Sequence, residues 1–131
     1  MSSVSKVRAV LSAIKSFAKH PPMFLKYKKY AMYTMFNHTA YIQNLLLLKK
    51  LAVGGCVVEC GTWRGGMIAG WADILGNSRE YYLFDSFEGL PEVTEKDGDA
   101  AKAYQIKTKE DPSFGWDNCR AEMSFADSAM K

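Results

Sequence analysis

Acid is missing from the first 58 residues of this 131-residue chain. That stretch carries nine Lys or Arg and no Asp or Glu, whereas the remaining 73 residues carry 14 acids against eight bases. The net charge of +3 conceals this division. Its plain reading is a basic helical surface beside an acidic domain. Its sharper reading is attraction to phosphate-bearing partners or anionic lipid. No recognised nucleic-acid-binding motif accompanies the basic half.

Long apolar runs are also missing. The longest, "LLLL" at 45–48, runs straight into Lys49 and Lys50, so no stretch spans a bilayer. The N-terminal residues lack a long apolar segment with a small-residue cleavage site, which argues against a secretory signal. The three cysteines, Cys56, Cys60 and Cys119, form no CxxC pair, which leaves neither a disulfide framework nor a zinc pattern. Cys56 and Cys60 are expected as buried apolar fillers, and a reducing cytoplasm suits them. Repeats and low-complexity tracts are absent. The length fits one domain at most, and the apolar content of 48% places the chain in the globular class.

The residues present predict helices first. Val4, Val7, Val10, Leu11, Ile14, Phe17 and Ala18 recur at helical spacing over 4–18, with Lys6, Arg8, Lys15 and Lys19 mostly elsewhere on the wheel. "HPP" at 20–22 stops this amphipathic helix. A second helix follows Pro22, with Tyr27, Tyr30, Tyr33 and Phe36 as an aromatic stripe. The stripe serves core packing or a lid over a ligand, since tyrosine offers apolar area and a hydroxyl. "NHT" at 37–39 caps a third helix, about 39–52, with Lys49 and Lys50 in its last turn and Gly54-Gly55 ending it. His38 reads as a turn residue, and His20 sits in a proline turn without catalytic company.

The pattern then changes to strand–helix–strand. "CVVEC" (56–60) reads as a buried parallel strand, Gly61 to Gly66 as a turn, 66–75 as a helix and "EYYLFD" (80–85) as a second strand. Met67, Ile68, Trp71, Ala72 and Leu75 are the helix's expected buried set, and Gly76-Asn77 close it. After Pro91 a long polar loop is expected, with one helical turn near 99–105, and then a last helix over about 116–130. Cys119, Met123, Ala126 and Met130 share one face of that helix.

The turn decides the ligand. Aligning G-x-G-x-x-G on Gly61 puts the third glycine at Gly66 and the middle one at Trp63. In dinucleotide folds the middle glycine lets the backbone approach a pyrophosphate. An indole blocks that approach, which argues against NAD or FAD but not against S-adenosylmethionine. Glu59 at the tip of the first strand can hold that ligand's ammonium or order the turn. Asp85 at the tip of the second can accept both ribose hydroxyls or cap the "SFEGLP" turn. Arg64 reads as a surface ion-pair partner or a ligand contact. Trp63 reads as a pocket wall or part of the core. Glu95, Asp97 and Asp99 read as a solvated acidic loop rather than a metal cluster.

"VVECGTWRGG" followed by "YYLFDSFEGLPE" resembles the macrocin O-methyltransferase (TylF/MycF) family, most closely over about 53–92. The resemblance implies an α/β, Rossmann-like, S-adenosylmethionine-dependent methyltransferase fold, here truncated and preceded by N-terminal helices. It divides the chain into lid-like basic helices (1–52) and the first part of the donor-binding domain (53–131). It implies O-methylation of a small-molecule hydroxyl, often on a sugar of a glycosylated metabolite, with magnesium held by later strands of the full enzyme. Residue by residue, Glu59, Gly61, Thr62, Trp63, Arg64, Gly65 and Gly66 match its first cofactor turn. Asp85, Ser86 and Phe87 match its second. It assigns no catalytic base and no metal ligand to these residues, so this portion is expected to be inactive alone. A homo-oligomer and membrane contact stay open. The alternative function is a small membrane- or partner-binding module with a vestigial nucleotide fold; a nicotinamide oxidoreductase is a third reading.

Overall fold

Proline sets the first corner. In the computed structural model, which describes residues 3–51, 53–110 and 119–131, helix α1 (Ser3–Lys19) ends at His20 and α2 (Pro21–Tyr30) begins on two prolines. Proline suits a first helical turn because its missing N–H has no partner there anyway. The second helix is shorter than the tyrosine stripe suggests. A 3-10 turn (Ala31–Tyr33) follows, Thr34 is extended, and its hydroxyl accepts the Phe36 N–H at 3.2 Å. Phe36 therefore leaves the stripe and is exposed. Helix α3 (His38–Leu48) starts where Asn37 Oδ1 accepts the Ala40 N–H at 3.0 Å. Lys49 is its C-cap, so it stops before Gly54 and Gly55.

Strand β1 (Val57–Cys60) pairs in parallel with β2 (Tyr81–Phe84), joined by α4 (Gly66–Leu75). This is an α/β arrangement, with Cys60 opposite Phe84 in register. Alternation along both strands leaves one face half-buried toward α4 and the other, with Val58, Cys60, Tyr82 and Phe84, exposed. The expectation of a buried strand flanked by buried cysteines is thereby corrected. Cys60 points to the uncovered face, Cys56 precedes the strand, and both are exposed.

The polar region after Pro91 is more ordered than a loop with one helical turn. Thr94 and Asp97 close a reciprocal capping box around a 3-10 turn (Glu95–Asp97), and α5 spans Gly98–Glu110. The last helix, α6 (Met123–Ala129), is shorter than 116–130; residues 116–118 lie outside the described residues. Cys119 stands in a turn at φ 54°, and Met123 is exposed, so the expected face divides. Ala126 and Ala129 are its buried positions.

The core joins α2, α3, α4 and α6. Met23, Tyr30, Tyr41, Ile42, Leu45, Met67, Ala69 and Ala129 form one buried cluster. Of the set expected on α4, Met67 and Ile68 are buried, while Trp71, Ala72 and Leu75 are half-buried. The closest approaches run over glycine. A Cβ on Gly66 would lie 2.5 Å from the Tyr33 carbonyl carbon and oxygen, and one on Gly70 would collide with the Tyr41 hydroxyl. That hydroxyl donates to Gly66 O at 2.8 Å. Outside this core, Asp73 on α4 pairs with Lys26 at 3.4 Å and Lys29 at 3.2 Å on α2. Among the described residues, no helix is long and apolar enough to cross a membrane.

Gly66→Ala and Gly70→Ala should each lower unfolding free energy by about 1–3 kcal/mol in urea titrations. Gly54→Ala, where nothing lies within 4 Å, should stay within about 0.5 kcal/mol of the parent. Equal effects at all three positions would refute the close-approach account.

Candidate functional site

Parallel pairing brings the carboxyl ends of β1 and β2 side by side, the edge where open α/β sheets bind ligands. Gly61 extends the ladder, its N–H donating to Phe84 O at 2.8 Å. At φ 76° it then turns the chain into a region that side-chain-bearing residues avoid. Gly65, also at φ 76°, is the N-cap of α4. Between them Trp63 takes φ 50°. The position aligned with the middle fingerprint glycine thus keeps a glycine-like backbone while carrying an indole. Such a conformation costs about 1–2 kcal/mol for a non-glycine residue.

Asp85 offsets that cost. Its Oδ2 accepts the Trp63 N–H at 2.8 Å, and its Oδ1 accepts the Phe87 N–H at 2.8 Å. Phe87 is likewise left-handed, at φ 58°. One carboxylate therefore holds the strained residue of each turn. Ser86 Oγ accepts the Glu88 N–H at 3.3 Å and completes the second turn. The turn-capping reading of Asp85 is realised. Each oxygen retains a lone pair for a further donor.

Glu59 sits behind the first turn. Thr62, itself buried, donates its hydroxyl to Glu59 Oε2 at 2.8 Å. Burial pushes the Glu59 carboxyl above its ordinary range, and the nearby Asp85 charge adds to this. Bonds from Thr62 and from the Ile68 backbone in the first turn of α4 act in the opposite direction. The two acids thus belong to one electrostatic neighbourhood. Glu59, Gly61, Thr62 and Trp63 line a hollow of about 150 Å³, with the 33–36 segment as its other wall. Asp85, Ser86 and Phe87 stand outside that hollow. Its size suits the end of a ligand rather than a whole one, since small-molecule sites usually exceed about 300 Å³.

Trp63 forms a wall of this hollow, and its indole Nε1 is buried without a hydrogen-bond partner. Among the described residues Arg64 makes no ion pair. Its guanidinium lies 4.3 Å from the Trp63 ring centroid and 4.5 Å from that of Phe125, and Nη1 donates to Met32 O at 3.3 Å. Such stacking anchors a cation between aromatic faces. Gly66 has a packing duty against Tyr33 beside its place in the turn. Sequence reasoning overlooked this contact, because the glycine spacing fits a ligand turn equally well. It also overlooked Phe125, which no local motif ties to Arg64.

A larger hollow of about 380 Å³ lies between α3, α4 and β1, lined mainly by apolar residues such as Leu47, Leu51, Val58 and Leu75. It contains none of the candidate residues. His38 opens α3 and shares a hydrogen bond with Ser12 at 3.1 Å. Asp97 serves the capping box with Thr94. Among the described residues, no three His, Cys, Asp or Glu side chains gather as a metal-binding group.

A glycine-punctuated strand–helix turn, with acids near the carboxyl ends of two parallel strands, places the candidate residues on one edge of an α/β arrangement. The profile of the TylF macrocin-O-methyltransferase family matches residues 32–117, more than half of the chain. The chain belongs to that family. No curated protein and no solved structure matches it.

Glu59→Gln provides a test of this half-buried acid. A raised folded-state pKa means that the folded protein binds this proton more tightly than the unfolded chain does. Stability from this group is therefore present at low pH and is lost as pH rises through the folded-state value. The variant, which keeps an acceptor for Thr62, should be more stable than the parent at pH 7. The two melting curves should converge below about pH 4. A variant less stable at pH 7 would show that the charge itself supports the fold.

Proposed function

We propose that this protein binds S-adenosylmethionine at the Glu59–Asp85 edge and acts, within its complete enzyme, as an O-methyltransferase for a small-molecule hydroxyl, a sugar hydroxyl on the family resemblance. The observation that carries this reading is the placement of both acids at adjacent parallel strand ends, with Asp85 holding the Trp63 turn that follows Glu59. The residues fit such a donor in three respects. Glu59 is a desolvated carboxylate at a hollow sized for an amino-acid end. Asp85 keeps acceptor capacity beside both turns. The Trp63 indole occupies the approach that a pyrophosphate needs.

The bound donor supplies an electrophilic methyl group. This chain's residues supply position. Glu59 holds a cationic group and is itself oriented by Thr62. Asp85 accepts hydroxyl donors without releasing the Trp63 and Phe87 N–H groups. Gly61, Gly65 and Gly66 shape the turn, Ser86 and Phe87 form its neighbour, and Arg64 props Trp63 from behind. Orientation of this kind accounts for much of the rate of a displacement reaction. Residues 1–52 act as a lid and 53–131 as the first part of the donor-binding domain. Deprotonation of the acceptor falls to later strands; the apolar sheet face left bare by α4 supports that division. Among the described residues no three His, Cys, Asp or Glu side chains gather to hold magnesium, so the metal that the family resemblance implies is assigned no residue here.

Calorimetry should detect S-adenosylmethionine binding and no NAD binding. Asp85→Asn and Glu59→Gln should each weaken the donor by roughly 10- to 100-fold, the loss of one charge-assisted hydrogen bond. The 131-residue chain with donor and a sugar acceptor should give no turnover. Preference for NAD, or donor affinity indifferent to both substitutions, would overturn the reading.

A further inference from the structure

Helix α1 faces the wrong way for a helix whose apolar stripe serves the core. Its contacts are with α2 and α3. The residues turned inward are small and largely polar: Ser5, Ser12, Ala13 and Ser16 are half-buried, and Ser12 reaches His38 at 3.1 Å. The apolar stripe faces outward. Val7, Val10, Leu11 and Ile14 remain between 52 and 59% exposed, and Phe17, 46% exposed at the end of the stripe, sets its ring edge-on to Phe24 of α2 at 5.7 Å. Their spacing places them on one side of the helix, and the stripe runs about 15 Å along the axis. Arg8, Lys15 and Lys19, all exposed, flank it between the apolar and the inward faces.

We propose that α1 is an interfacial helix that seats this protein on an anionic lipid surface. Basic residues beside an outward apolar stripe are the arrangement by which such helices lie in the headgroup plane. The apolar side chains enter the acyl boundary, and the long cationic stems reach the phosphates. Charge selects the occupant. No acid occurs before Glu59, and Asp73, packed against the same helical layer, is engaged by Lys26 and Lys29. A second copy docking through this face would set these cations against their own kind, whereas an anionic bilayer complements them. The stripe is convex and unwalled, which suits a fluid surface better than a side-chain-specific partner. This inference stands apart from methyl transfer and requires no donor.

The test is flotation of the 131-residue chain with vesicles of phosphatidylcholine alone or mixed with phosphatidylglycerol. The protein should float with the mixed vesicles, stay behind with the neutral ones, and be released by high salt. Leu11→Ser combined with Ile14→Ser should lower partitioning at least about tenfold. Each of Arg8→Gln, Lys15→Gln and Lys19→Gln should lower it about fivefold. All five side chains point to solvent, so the parent's urea midpoint should be retained, and that measurement separates lost binding from lost folding. Absence of flotation with anionic vesicles, or flotation unchanged by the Leu11/Ile14 double variant, would overturn the proposal. So would self-association in sedimentation velocity that the double variant abolishes, because a second copy would then own the face.

Discussion

The Asp85 carboxylate is the joint on which both turns hang. Register sets Cys60 beside Phe84, so the chain leaves the two strands at neighbouring points. Each exit then passes through a left-handed residue with a large aromatic side chain, Trp63 or Phe87. Neither conformation is favourable alone. Two N–H bonds of 2.8 Å to one carboxylate make both affordable at once. The geometry also forces Glu59 to share its surroundings with a second negative charge, and burial already disfavours its ionisation. In the proposed reading the ligand's cationic group faces Glu59 and offsets that repulsion.

The motif glycines connect that joint to the helical layer. Gly66 follows the turn, yet its missing side chain admits the Tyr33 backbone. Gly70, one helical turn later, admits the Tyr41 hydroxyl, which returns a hydrogen bond to Gly66 O. The segment 33–36 is thereby pinned above Glu59 and closes one side of the hollow. Stability of the N-terminal layer and shape of the site therefore rest on the same residues of α4. A substitution that swells this seam would damage both, without touching either acid.

The strand–turn–helix–strand unit was legible because its signals are local. β-Branched residues mark β1, glycines stand where φ is positive, and Gly76 ends α4. Asn37 announced α3 in the same way. Readings failed where a pattern fixes which residues share a face but not what that face meets. The stripe of α1 was correctly grouped, yet it points outward, because the half-buried face that meets α2 and α3 carries Ser5, Ser12 and Ser16 instead. Cys60 lies on the strand as expected but faces the side that α4 does not cover. The Arg64 stack depends on Phe125, far away in the sequence, so no local motif could have announced it. The Thr94–Asp97 capping box was visible as T-x-x-D and would have lengthened the helix expected near 99–105.

Among the described residues, the bare sheet face and the α1 stripe are both open and apolar, and their chemistry separates their roles. The bare sheet face presents Val58, Cys60, Tyr82 and Phe84 at strand spacing, with no charged side chain among them. A flat face of that kind is matched by an apolar helical layer, as when an α/β sheet is covered on both sides. The α1 stripe is narrow, convex and bordered by cations, so an apolar protein layer would bury Arg8, Lys15 and Lys19 without partners, at a cost of several kcal/mol per charge. The same burial rule that asks for protein over the sheet thus forbids it over α1. Charge, rather than hydrophobicity, tells the two surfaces apart.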